Sequence, residues 1–99
     1  MAIPIAMSDG VHDRRNAALV IIRDYSFEPA TLRVVAGAWV RWLNVDEAPA
    51  GVEHTGADRL FRSTVLFRGE SYARQFNERG EFPYHCGIHP HMRGRVIVS

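Results

Sequence analysis

FPYHCGIHPHMRGRVIV, residues 82–98, is the stretch on which the reading of the fold turns. Successive side chains of an extended chain face opposite ways, so Phe82, Tyr84 and Cys86 point together, inward, while Pro83 and His85 point outward. Residues 95–98 (RVIV) read as a following strand, which leaves a tight loop between the two that carries Cys86, His89 and Met92. A thiolate, an imidazole and a thioether are the soft and borderline ligands that select copper over harder metals. The stretch predicts a metal site on a β-scaffold.

Working outward, the periodicity stays at two. Residues 18–23 (ALVIIR) form a short apolar run, and 31–36 (TLRVVA) alternate. Residues 38–44 (AWVRWLN) set Val40 and Trp42 on one face, and 71–76 (SYARQF) set Tyr72, Arg74 and Phe76 on one face. These read as strands. Turn signals fall at Glu28-Pro29, Ala36-Gly37, Arg68-Gly69 and Arg79-Gly80, and short strands with regular turns indicate a β-sandwich or barrel. Residues 44–62 stand out as a long irregular connection, and such loops in small domains are usually functional.

Composition narrows the function. A chain of 99 residues holds one domain, expected over residues 18–99, with 1–17 as an N-terminal extension or irregular strand. Twelve basic and eleven acidic residues give a net charge of +1 without a basic run, which argues against nucleic acid as a partner. One cysteine excludes an internal disulfide. No run reaches the roughly 18 apolar residues of a membrane span. Residues 1–7 (MAIPIAM) lack the basic flank and apolar length of a signal peptide, so Met1 reads as a start placed before an already processed chain.

A copper site needs one more nitrogen, and the long connection offers Glu53-His54-Thr55. Two histidines, one cysteinate and a weak axial methionine make up the blue-copper donor set. Spacing alone supports Cys86, His89 and Met92 on one loop plus a distant histidine, with Glu53 and His91 as lesser candidates. His85 points away from Cys86 and reads as a surface or outer-layer imidazole. His12, beside Asp13, Arg14 and Arg15, reads as solvated.

The same residues resemble a known family. Residues 82–98 look like the copper-binding end of the plastocyanin-like cupredoxins, and the short Cys-x2-His-x2-Met loop is most similar to the amicyanin-like branch. Phe27-Glu28-Pro29, Leu32-Arg33-Val34, Gly37, Val40-Arg41-Trp42 and Asn44 resemble the family's early strands, and Tyr72, Phe76, Gly80, Phe82 and Tyr84 its approach to the cysteine. The resemblance implies an all-β, Greek-key β-sandwich and a single type 1 copper held by His54, Cys86, His89 and Met92. It further implies one-electron transfer without enzymatic turnover, by a monomer that is periplasmic or otherwise exported. The expected partner is a transiently docked redox protein such as a c-type cytochrome or a dehydrogenase.

One departure marks the chain. In the family the first histidine ligand usually follows a proline directly, whereas Pro49 is followed by Ala50 and the histidine arrives only at His54. The expectation is an insertion, Ala50 to Glu53, just before the ligand, with Glu53 adding negative charge near His89. Rival readings use the same residues. A copper homeostasis or delivery protein would need labile exchange, and a cysteine enzyme would need a base and an orienting group beside Cys86. Structural zinc favours four Cys or His donors.

Overall fold

The computed structural model describes residues 14–99. After a 3-10 turn at Arg14–Asn16 the strands are β1 (Ala18–Arg23), β2 (Ser26–Glu28), β3 (Thr31–Val34), β4 (Ala38–Asn44), β5 (Glu53–His54), β6 (Ser71–Phe76), β7 (Gly80–His85) and β8 (Arg93–Val98). They form two four-stranded sheets, β2-β1-β4-β6 and β3-β8-β7-β5. Each sheet is mixed: β1 runs parallel to β4 and β3 parallel to β8, while the other neighbours are antiparallel. This is the all-β sandwich expected from the alternation. His12 and most of the expected extension over 1–17 lie outside the described residues.

Strand parity builds the core. In β4, Ala38, Val40, Trp42 and Asn44 are buried while the residues between them are half-buried. In β7 and just past it, Phe82, Tyr84 and Cys86 are buried, Pro83 is exposed and His85 half-buried, as the alternation requires. Trp42 is fully buried, with the rings of Tyr84 at 5.3 Å, Tyr72 at 5.7 Å, Phe61 at 6.1 Å and Phe76 at 6.2 Å. Arg74 keeps its place on the inward face of β6 by laying its guanidinium over the rings of Phe61 (4.9 Å) and Phe76 (4.8 Å), a cation–π contact.

Two local devices went unread. β2 is joined to β1 by a turn in which Asp24 (φ 53°) and Tyr25 (φ 58°) are both left-handed, the twist that suits a two-residue hairpin. Asn44 is fully buried at the end of β4 and clamps the long connection: its side-chain amide donates to the carbonyls of Ala48 (3.0 Å) and Leu66 (2.9 Å), and its Oδ1 accepts from the Asp46 N–H (2.9 Å). A buried amide with its partners met converts an irregular segment into a fixed one. Among the described residues no helix is long and apolar enough to cross a membrane.

Candidate metal centre

The loop after β7 is closed by its own backbone. Cys86 N–H donates to the Met92 carbonyl (3.0 Å) and Met92 N–H to the His89 carbonyl (2.9 Å), so the entrance and exit of the loop are tied together. The Cys86 sulfur, fully buried, is approached by two backbone donors, Gly51 N–H at 3.4 Å and His89 N–H at 3.5 Å. Both are long contacts to a large, soft acceptor, and both stabilise negative charge on it. Met92 is buried and belongs to the same core cluster as Cys86. Gly94, two residues on, faces Tyr84 across the β7–β8 pair, where a Cβ would lie 2.5 Å from the phenol oxygen.

His89 bridges inside and outside. Its ring is half-buried, stands edge-on to Tyr25 (centroids 5.1 Å) and lies 6.1 Å from the exposed ring of His91. Its Nδ1 is buried with no hydrogen-bond partner. An unpartnered buried imidazole nitrogen is costly, and such a nitrogen can give its lone pair to a metal.

His54 is placed differently. Antiparallel pairing sets Glu53 opposite His85 and His54 opposite Tyr84, below Cys86 and away from the loop. Its ring packs on Phe61 (5.2 Å) and Phe82 (6.5 Å). Its Nδ1 lies 3.2 Å from both the Gly56 and Leu60 N–H groups. Two N–H donors make that nitrogen an acceptor, so Asp58 Oδ1 at 3.5 Å is a neighbour and not an ion-pair partner. The structure thus sets Cys86, His89 and Met92 on one closed loop and His54 on the neighbouring strand opposite Tyr84, its Nδ1 facing the Gly56 and Leu60 N–H groups. Among the described residues, no group of three or more His, Cys, Asp or Glu side chains is arranged to hold a metal ion.

The expected insertion, Ala50 to Glu53, forms no bulge of its own. Ala50 is paired with Leu66 by two backbone bonds (3.0 and 2.7 Å) and Glu53 bridges Arg62, so the one extra residue in this ladder lies on the 62–66 side. Glu53 offers no free negative charge: one oxygen accepts from His85 Nε2 (3.2 Å), the other lies 3.6 Å from Arg62 and 3.9 Å from Arg59, and the side chain is 16% exposed. Since a carboxylate can only accept, His85 donates from Nε2 to Glu53, and its Nδ1 lies 2.8 Å from the Thr55 hydroxyl. Sequence reasoning missed Ala50, Gly51 and Tyr25 as neighbours of the loop; the one available signal was Pro49-Ala50 itself.

The chain matches the family model described as the Cupredoxin-like domain over residues 2–98. It is 34% identical over 100 residues to amicyanin of Paracoccus versutus, covering 97% of this chain and 73% of that protein. It is 40% identical over 87 residues to chloroplastic plastocyanin of Tetradesmus obliquus, covering 74% of this chain and 58% of that one. The structure of an amicyanin variant in its reduced state superposes with a TM-score of 0.80 at 29% identity, covering 91% of this chain and 89% of that one. An amicyanin methionine-to-alanine variant in the Cu(I) state superposes with a TM-score of 0.79 at 29% identity, covering 84% and 82%. Two mixed sheets, a cysteine–histidine–methionine loop between β7 and β8, and a family match along nearly the whole chain make this protein a member of the cupredoxin-like family.

Proposed function

We propose that the chain is a mononuclear copper protein that passes single electrons between redox partners and catalyses nothing itself, with Cys86, His89 and Met92 as its protein ligands. The carrying observation is His89 Nδ1, a buried nitrogen whose lone pair has no partner in the protein. Thiolate, thioether and imidazole donors suit copper and are a poor set for zinc. The likeness to an amicyanin structure in the Cu(I) state supports the same metal. Copper supplies the one-electron couple. The protein supplies the rest: the N–H groups of Gly51 and His89 hold the Cys86 sulfur from two sides, the loop bonds hold Met92 and His89 at fixed separation, and Asn44 anchors the connection that carries Gly51. Donors held in this way limit the movement of the protein's own ligands when the charge changes.

His89 also reaches the surface, where Tyr25 is 54% and Ile88 41% exposed. An apolar rim around a ligand ring fits brief contact with a partner such as a c-type cytochrome or a dehydrogenase, in an interface below about 1,200 Å². The proposed setting is the periplasm or another exported compartment. Copper delivery is the second reading, favoured by the gathering of three donors in place of four; a measured rate of copper exchange separates the two.

The test is the optical spectrum of the copper(II)-loaded protein. A visible thiolate-to-copper band is expected in the wild type and none in Cys86→Ala, because the chain has no other cysteine. A band that survives Cys86→Ala ends the reading.

A further inference from the structure

Three donors gather where four are expected, and the gap has an address. Carrying the β5–β7 register back from Glu53 and His85 puts Val52 opposite Cys86 and Gly51 opposite Gly87, in keeping with the 3.4 Å contact of Gly51 N–H with Cys86 Sγ. Ala50 is the next residue toward the loop, on the strand face it shares with Val52, and is buried. Its paired bonds to Leu66 keep it from slipping in register. His54 lies two residues to the other side of Val52, about 7 Å along an extended chain, with its Nδ1 lone pair spent on the Gly56 and Leu60 N–H groups. The side chain level with the loop is therefore a methyl group, which has nothing to donate.

We propose that Ala50 stands at the fourth-donor position, so that the protein's own residues suffice for copper(I) while copper(II) is completed by an external monodentate nitrogen donor of the imidazole class. This rests on the copper reading above. Sulfur-rich, low-coordinate sites suit copper(I), whereas copper(II) seeks further nitrogen or oxygen. Gly51 and Gly87, the backbone neighbours of the Gly51–Cys86 contact, line a cleft of about 170 Å³ that Val52, Val65 and Ile88 also border, and Ala50 and the three donor side chains lie outside its lining.

The probe is imidazole, titrated into copper(II)-loaded protein in a non-coordinating buffer and followed by the thiolate-to-copper band and electron paramagnetic resonance. A saturable change is expected in the wild type and equally in His54→Ala. Ala50→His should show the completed-site spectrum before any imidazole is added and respond to none. A wild type indifferent to imidazole, or a site lost in His54→Ala, overturns the proposal. Should Ala50→His fail to fold, diamagnetic copper(I) decides independently: the His89 ring resonances shift on its addition to the wild type and those of His54 stay, whereas an equal shift at His54 overturns the assignment. If neither the wild type nor a folded Ala50→His develops a thiolate band, the copper reading itself fails.

Discussion

The Cys86–Met92 loop and the Pro49–His54 segment meet at the same end of the sandwich, yet one holds chemistry in its side chains and the other in its backbone. The loop places sulfur and an unpartnered imidazole nitrogen in the interior. The segment contributes one N–H to that sulfur, and the imidazole it carries has its Nδ1 satisfied by two backbone donors. The two histidines teach the point: His54 is the more buried, at 7% exposure, yet it is the His89 Nδ1 that has no partner.

Exchanging the two histidines for alanine strains this contrast most. His89→Ala should weaken copper(I) binding by more than the ~10–100-fold that losing an outer hydrogen bond costs a metal site. His54→Ala should leave the affinity within about twofold and lower stability instead, by ~1–3 kcal/mol, since the Gly56 and Leu60 N–H groups lose their acceptor. Competition titration with a copper(I) chelator and thermal melting read both; reversed effects would break the comparison.

Asn44→Ala tests whether the segment is held from β4. It removes the partner of two carbonyls and one N–H at a fully buried position, so a loss of about 3 kcal/mol is expected, with faster amide exchange at Ala50 and Leu66. A melting temperature within about 2 °C of wild type would show that the clamp is dispensable.

Tyr84 sits between the two regions, paired with His54 on one side and Gly94 on the other. Burial pushes its phenol up to about 12 from the ordinary 10.0. The unfolded chain then releases that proton first, so stability is full below about pH 10 and falls by roughly 2–3 kcal/mol as pH rises toward 12. Denaturant melts of wild type and Tyr84→Phe measure this: the phenylalanine variant should show a shallower alkaline decline, and parallel curves would refute the assignment.

The smallest effect is expected at Glu53. Arg59 and Arg62 are 68% and 71% exposed and 3.9 and 3.6 Å away, so the pairs contribute under about 1 kcal/mol. Glu53→Gln should change stability by less than that and leave the association rate with a basic redox partner unaltered at low salt. A marked fall in that rate would restore Glu53 as a docking charge.

What could be read in advance follows the same division. Alternation in AWVRWLN and FPYHC was enough to orient β4 and β7, because strand parity is a local property and Trp42, Tyr84 and Cys86 follow it. The loop was legible because its three donors lie within seven residues of one another. The segment was not, since whether Ala50 or His54 stands level with Cys86 depends on register against β7 and on the Leu66 pairing, contacts that are distant along the chain. The delayed histidine suggested an insertion; pairing sets an alanine at the level of the loop. The left-handed Asp24-Tyr25 turn carries no glycine to announce it, so β2 and the approach of Tyr25 to His89 also escaped notice.

Copper K-edge X-ray absorption on the reduced, copper(I)-loaded protein in imidazole-free buffer counts the neighbours of the metal directly. The account predicts one short sulfur contact from Cys86, a longer sulfur contact from Met92 and a single imidazole nitrogen, that of His89, with an identical spectrum in His54→Ala. Two imidazole nitrogens in the wild type, one of them lost in His54→Ala, would contradict it.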